Sequence, residues 1–277
     1  MTIKAIVLDL DGTLLTSKKE ISPITKSALI AAQENGIKVV LASGRPTSGM
    51  IKYAEDLKLN HYEGYIISYN GAKVTDFKTK EVLFNHPIHE DTGRKVLSHL
   101  KQFDVVTMID KDDYLYVNDV YDALLTLPER TVNIVEYESR LANFKLCEVD
   151  DLADFLTFPL NKILVAGDPN YLKENYKAMK EPFEEVTSSS FTAAFFYEFM
   201  DKHVEKSRSL DALFGPLGIR SDEVMIFGDG HNDRSLFEYA GLGIAMGNAV
   251  DEIKSIAKDT TSSNDKEGIS EALLKYL

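Results

Sequence analysis

Apolar residues run unbroken from Ala5 to Leu8 and stop at two acids separated by one leucine, so "AIVLDLDGTLL" predicts a buried strand ending in carboxylates. In "SPITKSALIAAQENG" the period changes: Ile24, Ala28, Leu29 and Ala32 recur on one helical face. Ser22 suits the N-cap there, Pro23 the first turn and Gly36 a left-handed stop. "IKVVLAS" follows as a second continuous apolar strand, and two strands joined through one helix require a parallel pairing. "YIISYNGA" predicts a third strand closed by a turn at Asn70 and Gly71.

From about Phe84 the texture alters. Alternating strands "DVVTMID" and "DYLYVN", joined by a short "KDD" turn, lie beside amphipathic helices in "DTGRKVLSHLKQF" and "PNYLKENYKAMKEPF". This block, residues 84–196, predicts an α+β module inserted into the first domain, and "NHPIHE" at its start has the composition of a hinge. Afterwards "DEVMIFGDG", "GLGIAM" and "DTTSS" return to short apolar strands alternating with helices. Residues 1–83 and 197–277 are therefore expected to build one parallel sheet from both ends of the chain.

Composition narrows the function. A chain of 277 residues with 44% hydrophobic content supports two domains and excludes a disordered chain. The net charge of −13, from 44 acids against 31 bases without a local basic patch, argues against nucleic acid or anionic lipid as a partner. Cys147 is the only cysteine, which precludes an intrachain disulfide and suits a reducing cytosol; a partly buried small side chain is the expectation for it. The N-terminus shows no signal-peptide pattern, and no apolar run approaches the roughly 18 residues of a membrane span. A soluble, cytoplasmic protein with no membrane partner is expected.

Ligands of parallel α/β sheets bind beyond the carboxyl ends of the strands, where Asp9 and Asp11 fall. On an extended chain they would point the same way and repel, and a divalent cation with oxygen ligands, Mg2+ above all, would relieve that. Gly12 and Thr13 then turn the chain and offer backbone N–H groups to an anion. "VMIFGDGHND" places Asp229 at another strand end and Asp233 four residues on, as a third carboxylate source or as a helix-start acid. A calcium loop does not fit "DLDGTLLTSKKE", which lacks an acid at its fifth position and flanking helices; "GDGHND" likewise lacks the dinucleotide fingerprint. "LASGRP" ends the second strand with Ser43, Gly44 and Arg45, while "DKHVEKSRSL" offers Lys202, Lys206 and Arg208 near a helix start, where a lysine neutralises phosphate.

In order, "DLDGTL", "LASGR", a lysine before a helix, and "GDGHND" resemble the four motifs of the haloacid dehalogenase-like hydrolase superfamily. The insert, the "NGA" after the third strand and the ending "AMGNAVDEIKSIAKDTTSSNDKEGISEAL" look like its Cof-type sugar-phosphatase branch. The resemblance implies a Rossmann-like α/β core with helices on both faces of a parallel sheet, an inserted α+β cap that selects substrate, and a Mg2+-dependent phosphatase. It implies Asp9 as nucleophile and Asp11 as general acid and base. Ser43, Lys206, Asn232 and the backbone at Leu10 and Gly44 would bind phosphate. Asp9, the Asp11 carbonyl and Asp229 would hold the metal, with Asp233, Arg45 and Asn70 in support.

"KSRS" at Lys206–Ser209 departs from the family's usual third motif, leaving Lys202 as a competitor, and His231 is expected as a loop side chain near the substrate. The implied partner is a small phosphorylated metabolite, for a monomer or small homo-oligomer. The competing readings are a phosphoacceptor signalling protein, which the large insert and Asp11 disfavour, and a phosphorylated-ligand-binding protein without turnover, which the filling of every matched motif position disfavours.

Overall fold

The computed structural model describes residues 2–126 and 131–277. The chain forms two compact units, Met1–Asn85 with Glu205–Leu277, and His86–Val204. The limits expected from sequence, 83/84 and 196/197, fall just short of the first division and, for the second, inside a paired strand.

The first unit is built on an eight-stranded sheet in the order Asp259–Thr260, Leu242–Ala245, Val224–Gly228, Ala5–Leu8, Lys38–Ala42, Tyr65–Ser68, Lys73–Asp76, Val82–Asn85. The first six strands run parallel and the last two add an antiparallel edge. Alternation along the central strand explains the layers. Ile6 and Leu8 join Val39, Leu41, Leu29, Ile269 and Leu273 in one apolar core, under the helices Pro23–Glu34 and Gly268–Tyr276. Ala5 and Val7 join Val40, Ala42, Ile226, Leu210 and Phe214 in the other, under Lys206–Leu217, Arg234–Tyr239 and Asp251–Ile256. At about 1.5–3 kcal/mol per fully buried aliphatic or aromatic side chain, these two cores hold the helices against the sheet.

Ser22 caps the first helix as expected, accepting from the Thr25 N–H, and Gly36 takes the left-handed stop at φ +83°. Ile24 corrects the sequence reading: it is 60% exposed. Leu29 and Ala32 do face the core, but the neighbouring places go to Thr25, whose hydroxyl donates to Glu267, and Gln33, whose Nε2 donates to the Leu57 carbonyl. The turn at Asn70 and Gly71 reverses the chain into an antiparallel strand, Lys73–Asp76.

The second unit has a six-stranded sheet in the order Lys145–Glu148, Tyr114–Val117, Val106–Lys111, Ile163–Ala166, Phe196–Asp201, Thr187–Ala193. All its pairings are antiparallel except the first. Glu90–Leu100 and Pro169–Lys180 cover one face through Val96, Leu97, Leu100, Leu172 and Met179; Ile134–Ala142 covers the other. "NHPIHE" spans the division between Asn85 and His86, and Ile88, on the second unit's side of it, is buried and bridges Leu160. No described helix is long and apolar enough to cross a membrane.

Candidate active site

The central strand Ala5–Leu8 lies between Val224–Gly228 and Lys38–Ala42, so sheet order reverses beside it and a crevice opens beyond the carboxyl ends. Asp9 follows Leu8 and Asp229 follows Gly228, and the Asp9 N–H donates to the Phe227 carbonyl at 3.1 Å. Gly12 turns the chain at φ +88°, and a Cβ there would lie 2.3 Å from Asp229 Oδ2. A glycine is required for this approach. Thr13, next in the turn, donates from Oγ1 to Asp229 Oδ1 at 2.7 Å, while Asn248 donates from Nδ2 to the Gly12 carbonyl at 2.7 Å.

Lys206 opens the helix Lys206–Leu217 and is 1% exposed. Its Nζ donates to Asp9 Oδ1 at 2.9 Å and to Asp233 Oδ1 at 2.7 Å. The other oxygen of Asp233 accepts from the backbone N–H groups of Asp229 and Gly230 at 3.0 and 3.1 Å. Gly71, at φ +102°, admits this helix start: a Cβ there would come within 2.6 Å of the Glu205 carbonyl. Lys202, the competitor, pairs instead with Glu185 at 3.3 Å.

Asp9, Asp229 and Asp233 each present an oxygen within 4.8 Å of the others. Burial first, then the charge of Asp233, raises Asp9 well above the usual carboxylate range, against the pull of Lys206. Burial likewise pushes Asp229 up to about 6, opposed by the Thr13 hydroxyl and reinforced by Asp233. Burial works against the charge of Lys206, but Asp233 and Asp9 outweigh it and hold the ammonium protonated.

Asp11 corrects the expectation of a crowded Asp9–Asp11 pair. The chain leaves the extended form after Asp9, so the Asp11 carboxylate swings to Arg45, at 2.7 and 2.8 Å, and to Lys19 at 2.7 Å. Burial would raise its pKa, but Arg45 and then Lys19 hold it below the ordinary range. The acids that crowd Asp9 are Asp233 and Asp229.

Ser43 is buried at the end of its strand; its Oγ accepts from the Arg45 N–H at 3.2 Å, and its carbonyl accepts from the Asn70 N–H at 3.0 Å. A Cβ on Gly44 would meet the Asn70 amide at 3.0 Å, and Asn232 donates to Asn70 Oδ1 at 3.3 Å. Ser43, Gly44, Asn70 and Asn232 are thus brought together. Leu10 packs its side chain in the core, and its carbonyl accepts from the Thr13 and Leu15 N–H groups. His231 is an exposed side chain paired with Glu252 at 2.8 Å. Lys19 and Asn248 were not singled out from sequence; only the fold brings them to Asp11 and Gly12.

A parallel sheet with acids at two strand ends and a buried lysine between carboxylates defines the class: a hydrolase built on an α/β core. The profile of the haloacid dehalogenase-like hydrolases matches residues 6–273, and the chain belongs to that family. A haloacid dehalogenase-like hydrolase from Bacteroides thetaiotaomicron superposes on it with a TM-score of 0.91 at 31% identity, covering 100% of both chains. Phosphatase YwpJ of Bacillus subtilis is 28% identical over 299 residues, covering 99% of this chain and 100% of the relative. The 5-amino-6-(5-phospho-D-ribitylamino)uracil phosphatase YitU of the same organism is 27% identical, covering 98% and 96%.

Proposed function

We propose that this chain is a Mg2+-dependent phosphatase that hydrolyses phosphate monoesters of small metabolites, sugar phosphates first among them, through an aspartyl phosphate on Asp9. The observation that carries this reading is the charge balance of the buried centre. Three carboxylates, Asp9, Asp229 and Asp233, lie together, and one ammonium, Lys206, bonds two of them, Asp9 and Asp233. With all three ionised, two negative charges would remain uncompensated among oxygen donors, which suits a hard divalent cation. Asp9, Asp229 and the Asp11 carbonyl would hold it. Asp233 would take a supporting part, because both its oxygens already serve Lys206 and the backbone. The bound cation would offset the repulsion between Asp9 and a phosphate dianion.

The remaining steps belong to the chain. A carboxylate oxygen of Asp9 attacks phosphorus in line as the bond to the leaving oxygen breaks, and Asp11, which must first leave Arg45 and Lys19 and take up a proton, gives that proton to the leaving oxygen. Asp11 then takes a proton from the water that cleaves the aspartyl phosphate, restoring Asp9 and releasing phosphate. Ser43, Lys206, Asn232 and the backbone at Leu10 and Gly44 hold the phosphoryl oxygens as charge spreads over them. Selection of the metabolite is assigned to the second unit, in the part of a cap, and the cytosol is the proposed compartment.

The test is phosphate release from a panel of sugar phosphates, nucleotides, flavin mononucleotide, pyridoxal phosphate and an aryl phosphate. Release that needs Mg2+, stops with chelator and is absent in Asp9→Asn is expected. A folded protein inert on every compound overturns the reading.

A further inference from the structure

Among the described residues, one cluster of metal-ligating side chains away from the acidic centre takes no part in the chemistry above. His86 is the first residue of the second unit, and Asp201 and His203 lie close to its last, Val204. Asp201 ends the strand Phe196–Asp201, and its carbonyl accepts from the Val204 N–H at 3.1 Å, so the chain turns tightly there. The turn returns the His203 N–H to Asp201 Oδ1 at 2.9 Å. That contact fixes the carboxylate before either imidazole is counted.

Both imidazoles then converge on the same oxygen. His86 Nε2 lies 2.9 Å from Asp201 Oδ1, across 115 residues of sequence, and His203 Nδ1 lies 3.2 Å from it. The rings stand edge to face, 6.1 Å between centroids. One ligand atom from each of the three residues lies within 4.8 Å of the others. With bonds of about 2.0–2.2 Å, neighbouring ligands of a four- to six-coordinate ion are separated by roughly 2.9–3.5 Å, and the two nitrogen-to-oxygen distances fall in that range. His86 and Asp201 are half-buried and His203 is exposed, which leaves coordination positions for water or a second ligand.

We infer that His86, Asp201 and His203 form a second metal site, for a borderline divalent transition metal of the Zn2+ class. Two imidazoles and one carboxylate select such an ion over Mg2+, which prefers oxygen donors. Each neutral ring ligates through the nitrogen now facing Asp201 and carries its proton on the other. Because His86 opens the unit and the other two residues nearly close it, the ion ties the unit's beginning to its end. Binding therefore raises the unit's resistance to heat.

The test is Zn2+ titration by calorimetry in excess Mg2+, which saturates the acidic centre, with wild type, His86→Gln and His203→Gln. One Zn2+ per wild-type chain is expected, with affinity about tenfold or more lower in each variant and a Zn2+-dependent rise in thermal midpoint seen only in wild type. In case a variant misfolds, nitrogen NMR of the six histidines is recorded on wild type alone. Zn2+ is expected to shift Nε2 of His86 and Nδ1 of His203. Equal Zn2+ affinity in wild type and folded variants, or no shift at these two nitrogens, overturns the proposal.

Discussion

The ammonium of Lys206 lies 2.9 Å from Oδ1 of Asp9, with both residues buried. The pair is asymmetric, because Lys206 also serves Asp233 while Asp9 is pressed by burial and by two further acids. Lys206→Met leaves buried carboxylates without their cation and is expected to cost about 3–5 kcal/mol along with turnover. Asp9→Asn removes one of the repelling charges. It is expected to abolish turnover while leaving the metal-free protein as stable as wild type or more so. Denaturant midpoints of the two variants, measured with chelator, check the contrast; equal destabilisation would sink it.

Gly12→Ala tests whether the turn sets the position of Asp229. The new Cβ would fall 2.3 Å from Asp229 Oδ2 on a backbone at φ +88°. Strain of about 1–3 kcal/mol is expected. The carboxylate must also move, so Mg2+ affinity falls about tenfold or more, as it does when the support of a metal ligand is disturbed. A Mg2+ titration showing wild-type affinity would mean that Asp229 relaxes freely.

The acids at the strand ends were legible because an apolar run that stops at a carboxylate is a local signal. Asp9 and Asp229 therefore stand out from the amino-acid order alone. Their neighbours are set by distant packing: Arg45 meets Asp11 and Asn248 meets Gly12, and no spacing rule announces either contact. The antiparallel edge strands were missed because "KVTD" and "VLFN" are short and mixed, and the outermost is largely exposed. Ile24 misled because hydrophobic period places a residue on a face without saying how far the core extends. His86 and His203 belong to segments 115 residues or more from one another, and only the closed unit makes them neighbours.

In the second unit, Lys162 pairs with Glu198 at 3.4 Å, with both side chains buried. The lysine is held charged against the cost of burial by Glu198, then Glu138 and Asp110. Lys162→Met takes this cation away from the buried Glu198 carboxylate, whereas Glu198→Gln leaves Lys162 the charges of Glu138 and Asp110. The first is expected to cost about 3–5 kcal/mol and the second clearly less. Urea unfolding followed by a probe in this unit distinguishes them; the opposite order would mean that Glu198 supports the fold by other contacts.

Asp259 gives the acid limb of stability a definite window. Its Oδ2 accepts from Lys275 Nζ and Tyr276 Oη, each at 2.7 Å, and Oδ1 accepts from the Thr260 N–H at 2.9 Å. Lys275 foremost, then Tyr276, lowers its pKa from 3.8 to about 2. A carboxyl depressed in the folded state contributes stability above its unfolded value and loses it as pH falls through the folded one. The tie between the edge strand and the last helix is therefore essentially complete above about pH 4, weakens as pH falls towards 2 and is gone only below that. Asp259→Asn should be less stable than wild type at pH 6, with the gap closing as acid is added. A gap independent of pH would assign the loss to packing.

If Asp9 and Asp11 act as proposed above, replacing Asp11 separates the two chemical steps. An alkyl phosphate needs a proton on its leaving oxygen, whereas an aryl phosphate expels a stable phenolate without one, so only the first loses formation of the aspartyl phosphate when Asp11 is replaced. The second step, attack by water, needs a base with either substrate. Asp11→Asn given an aryl phosphate is therefore expected to release phenolate rapidly up to one equivalent per chain and then slow by about 10²–10⁴-fold. Asp9→Asn should show no burst. Stopped-flow absorbance at the phenolate band reads both. The Asn side chain keeps the size of Asp11 beside Arg45 and Lys19, so a missing burst in folded Asp11→Asn would place Asp11 in the first step even for a good leaving group, and its hold by those two cations would then orient the attack itself.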